Sequence, residues 1–248
     1  MNPGFRHLFY IGMMSIGIAL MPIGARGEMQ EGASEELSST PKSVEDLQQI
    51  EHQLQQILPK ILPAIVCIEV NNGSGSGILV SEDGLLFSAA HVVGNKGTVL
   101  QIILSDGTQL PGKTTEQNSE TDAGIAMITK PLTKKLPCVK KTAQLPHLGD
   151  WVFALGHGGG WDRERGPMVR LGRVVSLKNE VIQTDCKLIR GDSGGPLFNM
   201  NGELIGIHSR IGSGLEDNLH VPMKDFNTLG NPTPKNKFPQ QQDTKASK

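Results

Sequence analysis

Cysteine is scarce, with three residues in a chain of 248. Three thiols cannot form a disulfide scaffold, and no CxxC or Cys/His pair stands at metal-ligand spacing, so neither a metal nor a cofactor is expected. Stability must then come from an ordinary apolar core. The odd count leaves at least one free thiol, and Cys67, Cys138 and Cys186, each in an apolar strand-like stretch, are expected as buried free thiols. An excess of either charge is also missing: 24 Lys and Arg stand against 25 Asp and Glu, a net charge of -1. The basic residues are spread along the chain, which excludes the clustered positive surface that phosphate binding needs, so nucleic acid is not expected as a partner. A long hydrophobic run occurs once. Arg6 and His7 precede a mostly apolar stretch from Leu8 to Ile23, followed by Gly24-Ala25-Arg26-Gly27, the order found in an export signal. Residues 1–27 are expected to be removed from a periplasmic or secreted protein; left uncleaved, a run of about 17 residues is near the lower limit for a membrane anchor.

Glycine is abundant, at 30 residues, nearly twice the roughly 7% average. With little sustained helical periodicity, this points to many turns between short strands and to an all-β fold. Residues 28–43 are polar and without period. One helix follows: Ser43 caps it with Asp46 three residues on, and Val44, Leu47, Ile50, Leu54, Ile57 and Leu58 recur at helical spacing until Pro59 and Pro63 end it. Its apolar stripe packs either on the domain or on a neighbouring subunit. From residue 65 the pattern becomes eleven strand-like runs: 65–70, 77–81, 85–88, 98–104, 125–129, 151–155, 168–177, 181–184, 196–199, 203–208 and 218–222. Turn residues separate them, Asn201-Gly202 being the clearest hairpin signal. The expected organisation is a polar and helical segment over 28–57, one folded domain over 58–228, and a disordered Pro-, Lys- and Gln-rich tail over 229–248.

The segment richest in chemistry is Arg190-Gly191-Asp192-Ser193-Gly194-Gly195-Pro196. A serine between glycines on a tight turn presents its hydroxyl while nearby N–H groups converge, the arrangement needed to stabilise a tetrahedral oxyanion. Gly191–Gly195 fits the G-x-S-x-G pattern of α/β-hydrolases, but the following residues read as strand, Asn-Gly turn, strand instead of helix. A serine nucleophile needs a base and an orienting carboxylate. Of seven histidines, His91 ends a strand-like run with small residues behind it, and Asp122 immediately precedes an apolar strand that begins with small residues. Asp106 and Asp150 belong to Gly-Asp or Asp-Gly turns and read as solvated turn residues.

Seven segments now stand in order: Gly73–Gly77, Ser88–Val93, Asp122–Ile128, Gly149–Gly156, Val181–Asp185, Gly191–Leu197 and Asn218–Pro222. Together they resemble the trypsin-like serine proteases of HtrA/Deg type over roughly Leu58 to Met223. The resemblance implies two antiparallel six-stranded β-barrels, with His91 and Asp122 on the first and Ser193 on the second. It implies Ser193 as nucleophile, His91 as base, Asp122 as its orienting acid, and the N–H groups of Gly191 and Ser193 as the oxyanion hole. Protein or peptide substrates are implied, unfolded or damaged and outside the cytoplasm, with a homo-oligomer, a trimer by resemblance. By motif position Lys187, Leu188, Ile189, His208, Ser209 and Arg210 line the primary substrate pocket. Relatives favour small aliphatic side chains there; Lys187 and Arg210 raise acidic residues as the alternative, unless both extend outward.

The sequence departs from these relatives in two ways. The PDZ domains they carry after the protease are not expected here. The serine turn reads Gly-Asp-Ser, as in digestive proteases, where that aspartate pairs with an N-terminus freed by cleavage; no Arg-Ile-Val-Gly-type site precedes the first strand. Asp192 therefore needs another cation, with Arg190, Arg163 and Arg165 as candidates, and the glycine-rich loop Gly156–Pro167 is expected to set activity through its order. The alternative to an endopeptidase is a catalytically silent scaffold or chaperone-like binding protein of the same fold.

Overall fold

The computed structural model describes residues 40–229, apart from 72, 213, 215 and 216. The expected export segment, most of the polar stretch after it, and all but the first residue of the expected tail lie outside the described residues. Helix α1 (Val44–Ile61) begins at a capping box: the Ser43 hydroxyl accepts the Asp46 N–H at 3.2 Å, and the Asp46 carboxylate accepts the Ser43 N–H at 3.2 Å. The helix does not stop at Pro59. Proline in the last turn removes a single intrahelical donor, and the chain ends the helix instead by tightening into a 3-10 turn, Leu62–Ala64, that holds Pro63. From Ile50 onward the stripe packs on the domain itself, while Val44 and Leu47 are exposed. Ile50 and Ile61 are buried, Leu54, Ile57 and Leu58 pack against the core, and Gln53 Nε2 donates to the Met200 carbonyl at 2.6 Å.

Twelve strands follow, all paired antiparallel. β1 (Ile65–Val70), β2 (Gly73–Leu79), β3 (Leu85–Ala89), β4 (Val99–Ile103), β5 (Gln109–Asn118) and β6 (Ala123–Ile128) close into one barrel in the order β1-β2-β3-β6-β5-β4. β7 (Trp151–Gly156), β8 (Met168–Ser176), β9 (Ile182–Thr184), β10 (Pro196–Asn199), β11 (Leu204–Ile211) and β12 (Asn218–Pro222) close a second in the order β10-β11-β12-β9-β8-β7. The two six-stranded barrels are those the resemblance implied. The eleven runs read from the sequence omitted β5, whose inward positions Leu110, Gly112 and Thr114 include only one large apolar side chain. Among the described residues two short helices accompany the strands: α2 (Ala90–Val93) after β3, and α3 (Met223–Asn227) after β12, whose Phe226 stacks on Phe87 at 4.5 Å between ring centres. Among the described residues no helix is long and apolar enough to cross a membrane.

The thiols correct one expectation. Cys67 and Cys186 are buried and free, and burial pushes their pKa values up to about 11 and about 12, so neither is a nucleophile. Cys138 is exposed, because no strand forms around it: Leu136 and Val139 fill the adjacent core and Cys138 lies between them facing solvent.

Strand register positions the site. β3 pairs with β6 so that Ala89 lies opposite Ala123, which brings together the residues just past those strand ends, His91 and Asp122. β10 pairs with β11 with Pro196 opposite Ile207, so the residues before β10 run beside His208 and Ser209.

Candidate active site

His91 sits in α2 with its side chain 49% exposed, while Asp122 beneath it is buried. The ring Nδ1 lies 2.9 Å from Asp122 Oδ2 and 3.1 Å from Oδ1. A carboxylate oxygen can only accept, so Nδ1 carries the hydrogen, and in the neutral ring Nε2 keeps its lone pair. Asp122 is itself held firmly. Its Oδ1 accepts the His91 backbone N–H at 3.0 Å, its carbonyl accepts the Ala90 N–H at 2.9 Å, and Ser209 Oγ donates to Oδ2 at 2.6 Å. Asp122 adopts a left-handed backbone, φ +59°, a conformation Asp tolerates better than most residues and one common where the surroundings over-determine a functional side chain.

The serine turn of the second barrel is fastened to the first. Ser76 on β2 donates its N–H to the Ser193 carbonyl at 2.8 Å and its hydroxyl to the Gly191 carbonyl at 2.8 Å, while its Oγ accepts the His157 N–H at 2.8 Å. Ser88 on β3 donates to the Ser76 carbonyl at 2.8 Å. Gly194, φ +82°, comes so close to the Ser88 hydroxyl and the Ser76 carbonyl that a Cβ there would overlap both. Gly194 N–H donates to the His208 carbonyl and His208 N–H to the Gly195 carbonyl, both at 2.8 Å. Gly191 has φ +100°, and a Cβ at this position would meet the His157 carbonyl at 2.6 Å. Among the described residues no acceptor pairs with the N–H of Gly191 or of Ser193.

The neighbour of the serine, Asp192, is fully buried. Its partner is none of the three arginines named from the sequence. Arg170 on β8 approaches with Nη2 2.9 Å from Oδ2 and Nη1 3.2 Å from Oδ1. Arg165 instead donates to the carbonyls of Gly158 and Gly160, at 3.0 and 3.3 Å, ordering the glycine loop after β7. Burial raises the Asp192 pKa, opposed by the Ile189 N–H and by the Arg170 charge.

Of the residues expected to line the primary pocket, Lys187 and Arg210 are exposed, and Ile189 is 40% exposed. Leu188 is buried in the second-barrel core. Ser209 is turned to Asp122. His208 is fully inside, in a chain whose tautomers follow from its end: the Leu155 carbonyl, 3.1 Å from His208 Nε2, can only accept, so Nε2–H donates and Nδ1 is an acceptor. His220 Nδ1–H then donates to His208 Nδ1 at 2.9 Å, and Thr184 Oγ1–H donates to His220 Nε2 at 2.8 Å. Burial keeps both rings neutral, driving His208 well below the ordinary range and His220 down to about 3. Beside His91 opens a cleft of about 600 Å³ bordered by Asn95, Gln117, Ser209, Arg210 and Ile211. Sequence reasoning missed Ser76 and Arg170, and did not foresee that Ser209, on the border of this cleft, also bonds to Asp122.

Comparison with known proteins agrees with this architecture. The family profile of the trypsin-like peptidase domain matches residues 75–207. The chain is 37% identical over 142 residues to a "Probable periplasmic serine endoprotease DegP-like" of Pseudomonas putida (strain W619), covering 55% of this chain and 29% of that protein. It is 38% identical over 142 residues to a protein of the same name from Pseudomonas savastanoi pv. phaseolicola, covering 55% of this chain and 29% of that protein. It is 33% identical over 174 residues to "Serine protease HTRA1B" of Danio rerio, covering 63% of this chain and 36% of that protein. These alignments span about a third of each relative's length. With the profile match extending over more than half its residues, the chain belongs to the trypsin-like peptidase family.

Proposed function

We propose that the chain is a serine endopeptidase acting through His91, Asp122 and Ser193. The observation that carries this reading is the Nδ1–H of His91 held on Asp122, beside a serine turn whose Gly191 and Ser193 N–H groups have no acceptor among the described residues. As substrate binds, Ser193 Oγ attacks the scissile carbonyl and its proton passes to His91 Nε2, while the two N–H groups take the negative charge that forms on the carbonyl oxygen. Asp122 stabilises the imidazolium. His91 then gives the proton to the leaving amine as the C–N bond breaks, and water, activated by the same ring, releases the acyl group and restores the Ser193 hydroxyl.

Substrates are unfolded or damaged proteins outside the cytoplasm, in keeping with the periplasmic endoproteases the chain is similar to, and a homo-oligomer, a trimer by resemblance, belongs to the same reading. The pocket takes small aliphatic side chains. Lys187 and Arg210 are both exposed and Leu188 is buried beneath the segment, which favours this over acidic residues. The test is incubation of the purified protein with a reduced, unfolded protein and its folded counterpart, with cleavage sites read by mass spectrometry. Cleavage of the unfolded form after aliphatic residues is expected. Cleavage confined to positions after Asp or Glu overturns the pocket assignment, and binding without cleavage transfers the protein to the silent-scaffold reading.

A further inference from the structure

We propose that Arg170 is a positioning residue for the serine turn: by pairing with the buried Asp192 it holds residues 191–193 in the shape that presents the Ser193 hydroxyl and aims two N–H groups at one point. This rests on the endopeptidase reading above. Because the cation is part of β8, the turn is set by folding alone and needs no activating cleavage.

Asp192 has no exposure to solvent, and a buried carboxylate is tolerated only when paired and hydrogen-bonded. Its Oδ2 accepts Arg170 Nη2–H at 2.9 Å and the Ile189 N–H at 2.8 Å, and its Oδ1 accepts Nη1–H at 3.2 Å. The Asp192 N–H donates to the Ile189 carbonyl at 3.0 Å, and its carbonyl accepts the Gly195 N–H at 2.8 Å. One residue thus fastens the turn on both sides of Ser193, by side chain and by backbone. The Ser193 N–H belongs to the peptide that starts at the Asp192 carbonyl. If the carboxylate turned outward to find water, rotation about the Asp192 Cα would swing that peptide and displace both the N–H and the hydroxyl.

Arg170 is built for the role. It shares a face of β8 with Gly172 and Val174, both buried, and its side chain is 14% exposed. Among the described residues Asp192 is the carboxylate within ion-pair distance of it. The planar guanidinium meets both carboxylate oxygens at once, which fixes the direction of the side chain as well as its charge; an ammonium would act as a point charge. The exposed Arg190 and Lys187 lie nearer in sequence and play no part in this pair.

The test compares the full chain with Arg170→Met, Arg170→Lys and the double variant Arg170→Met/Asp192→Asn. Three quantities are read: the rate at which a fluorophosphonate attaches to Ser193, kcat and KM on a peptide amide, and amide hydrogen exchange at Ile189, Asp192 and Gly194. Arg170→Met is expected to lower kcat and labelling about 100-fold with KM changed only a few-fold, because misplacing oxyanion donors affects the transition state more than substrate binding. The three amides should exchange about ten-fold faster or more. Arg170→Lys should recover part of the loss, and the double variant about ten-fold of it, since neither charge is then left buried alone. Parental labelling and exchange in Arg170→Met overturns the proposal, as does a double variant no better than the single one. Should Arg170→Met fail to fold, Arg170→Lys and the double variant decide on the same readouts, parental values in Arg170→Lys counting against the bidentate pair. A parent that neither labels nor hydrolyses defeats the endopeptidase reading, and the exchange rates then decide for or against Arg170 by themselves.

Discussion

Ser209 illustrates how much a single hydroxyl contributes at this site. Its 2.6 Å hydrogen bond crosses from the second barrel to Asp122 on the first, so it orients the carboxylate and ties the two barrels together. Ser209→Ala is expected to lower kcat by about ten-fold with KM little changed, and to lower the melting temperature as well, since a hydrogen bond to a charged group is worth roughly 1.5–3 kcal/mol; an unchanged kcat would remove Ser209 from the arrangement. His157 presents the opposite situation. It is fully buried beside Trp161, neither ring nitrogen has a hydrogen-bond partner among the described residues, and burial pushes its pKa down to about 4. His157→Phe should stabilise the fold by about 1 kcal/mol at neutral pH, the cost of unpaired buried nitrogens being roughly 1–3 kcal/mol; a lower melting temperature would sink the idea. At this scale the sequence disclosed the residues whose local context is distinctive: a histidine backed by small residues, an aspartate at a strand start, a serine between glycines. Ser76 and Arg170 were not read, although Arg170 left a signal. It is in phase with Gly172 and Val174 on the inward side of β8, and a cation on an inward face requires a carboxylate.

Among elements, α1 carries the clearest energetic prediction. Ile50 is 4% exposed in the core cluster, so Ile50→Ala is expected to cost about 3 kcal/mol by denaturant titration, through lost burial and the cavity left behind. A cost below about 1 kcal/mol would mean that the helix is not docked in solution. The capping box was legible because its two partners stand three residues apart. The helix end was not, since Pro59 in a final turn sacrifices only one donor while Ile61 still finds the core. β5 escaped for a related reason. Its alternation is real, but Pro111, Gly112 and Thr114 supply neither bulk nor the usual strand chemistry, and its partners β4 and β6 hold it in place. Cys138 reads as apolar strand from its neighbours, yet Leu136 and Val139 occupy the interior and leave it outside.

For the whole molecule, the closure of twelve strands into two barrels came from resemblance to a family and not from periodicity, because alternation records which face is buried and says little about which strands pair across a long separation. Ser76 and Ser209 each bond across to the other barrel at the site, so the candidate machinery is part of the interface between the barrels. Three buried histidines also tie stability to acidity. His157, His208 and His220 are kept neutral in the fold, their pKa values lowered from the usual 6.5 chiefly by burial. Below that value the unfolded chain takes up protons that the fold refuses, so stability is full above it and falls as pH drops, by roughly 1.4 kcal/mol per pH unit for each histidine. Asp192, whose pKa burial raises, offsets part of this at the acid end. The melting temperature should therefore be clearly lower at about pH 5 than at about pH 7; an equal or higher value would mean that the rings are not held neutral.

The proposed role of Ser193 as an activated nucleophile is tested most directly by fluorophosphonate labelling followed by mass spectrometry of the peptide that contains it, with Ser193→Ala and His91→Ala in parallel. One covalent adduct is expected, on Ser193, absent from Ser193→Ala and slowed by about 1000-fold or more in His91→Ala. No adduct, or an adduct that persists in Ser193→Ala, would contradict it.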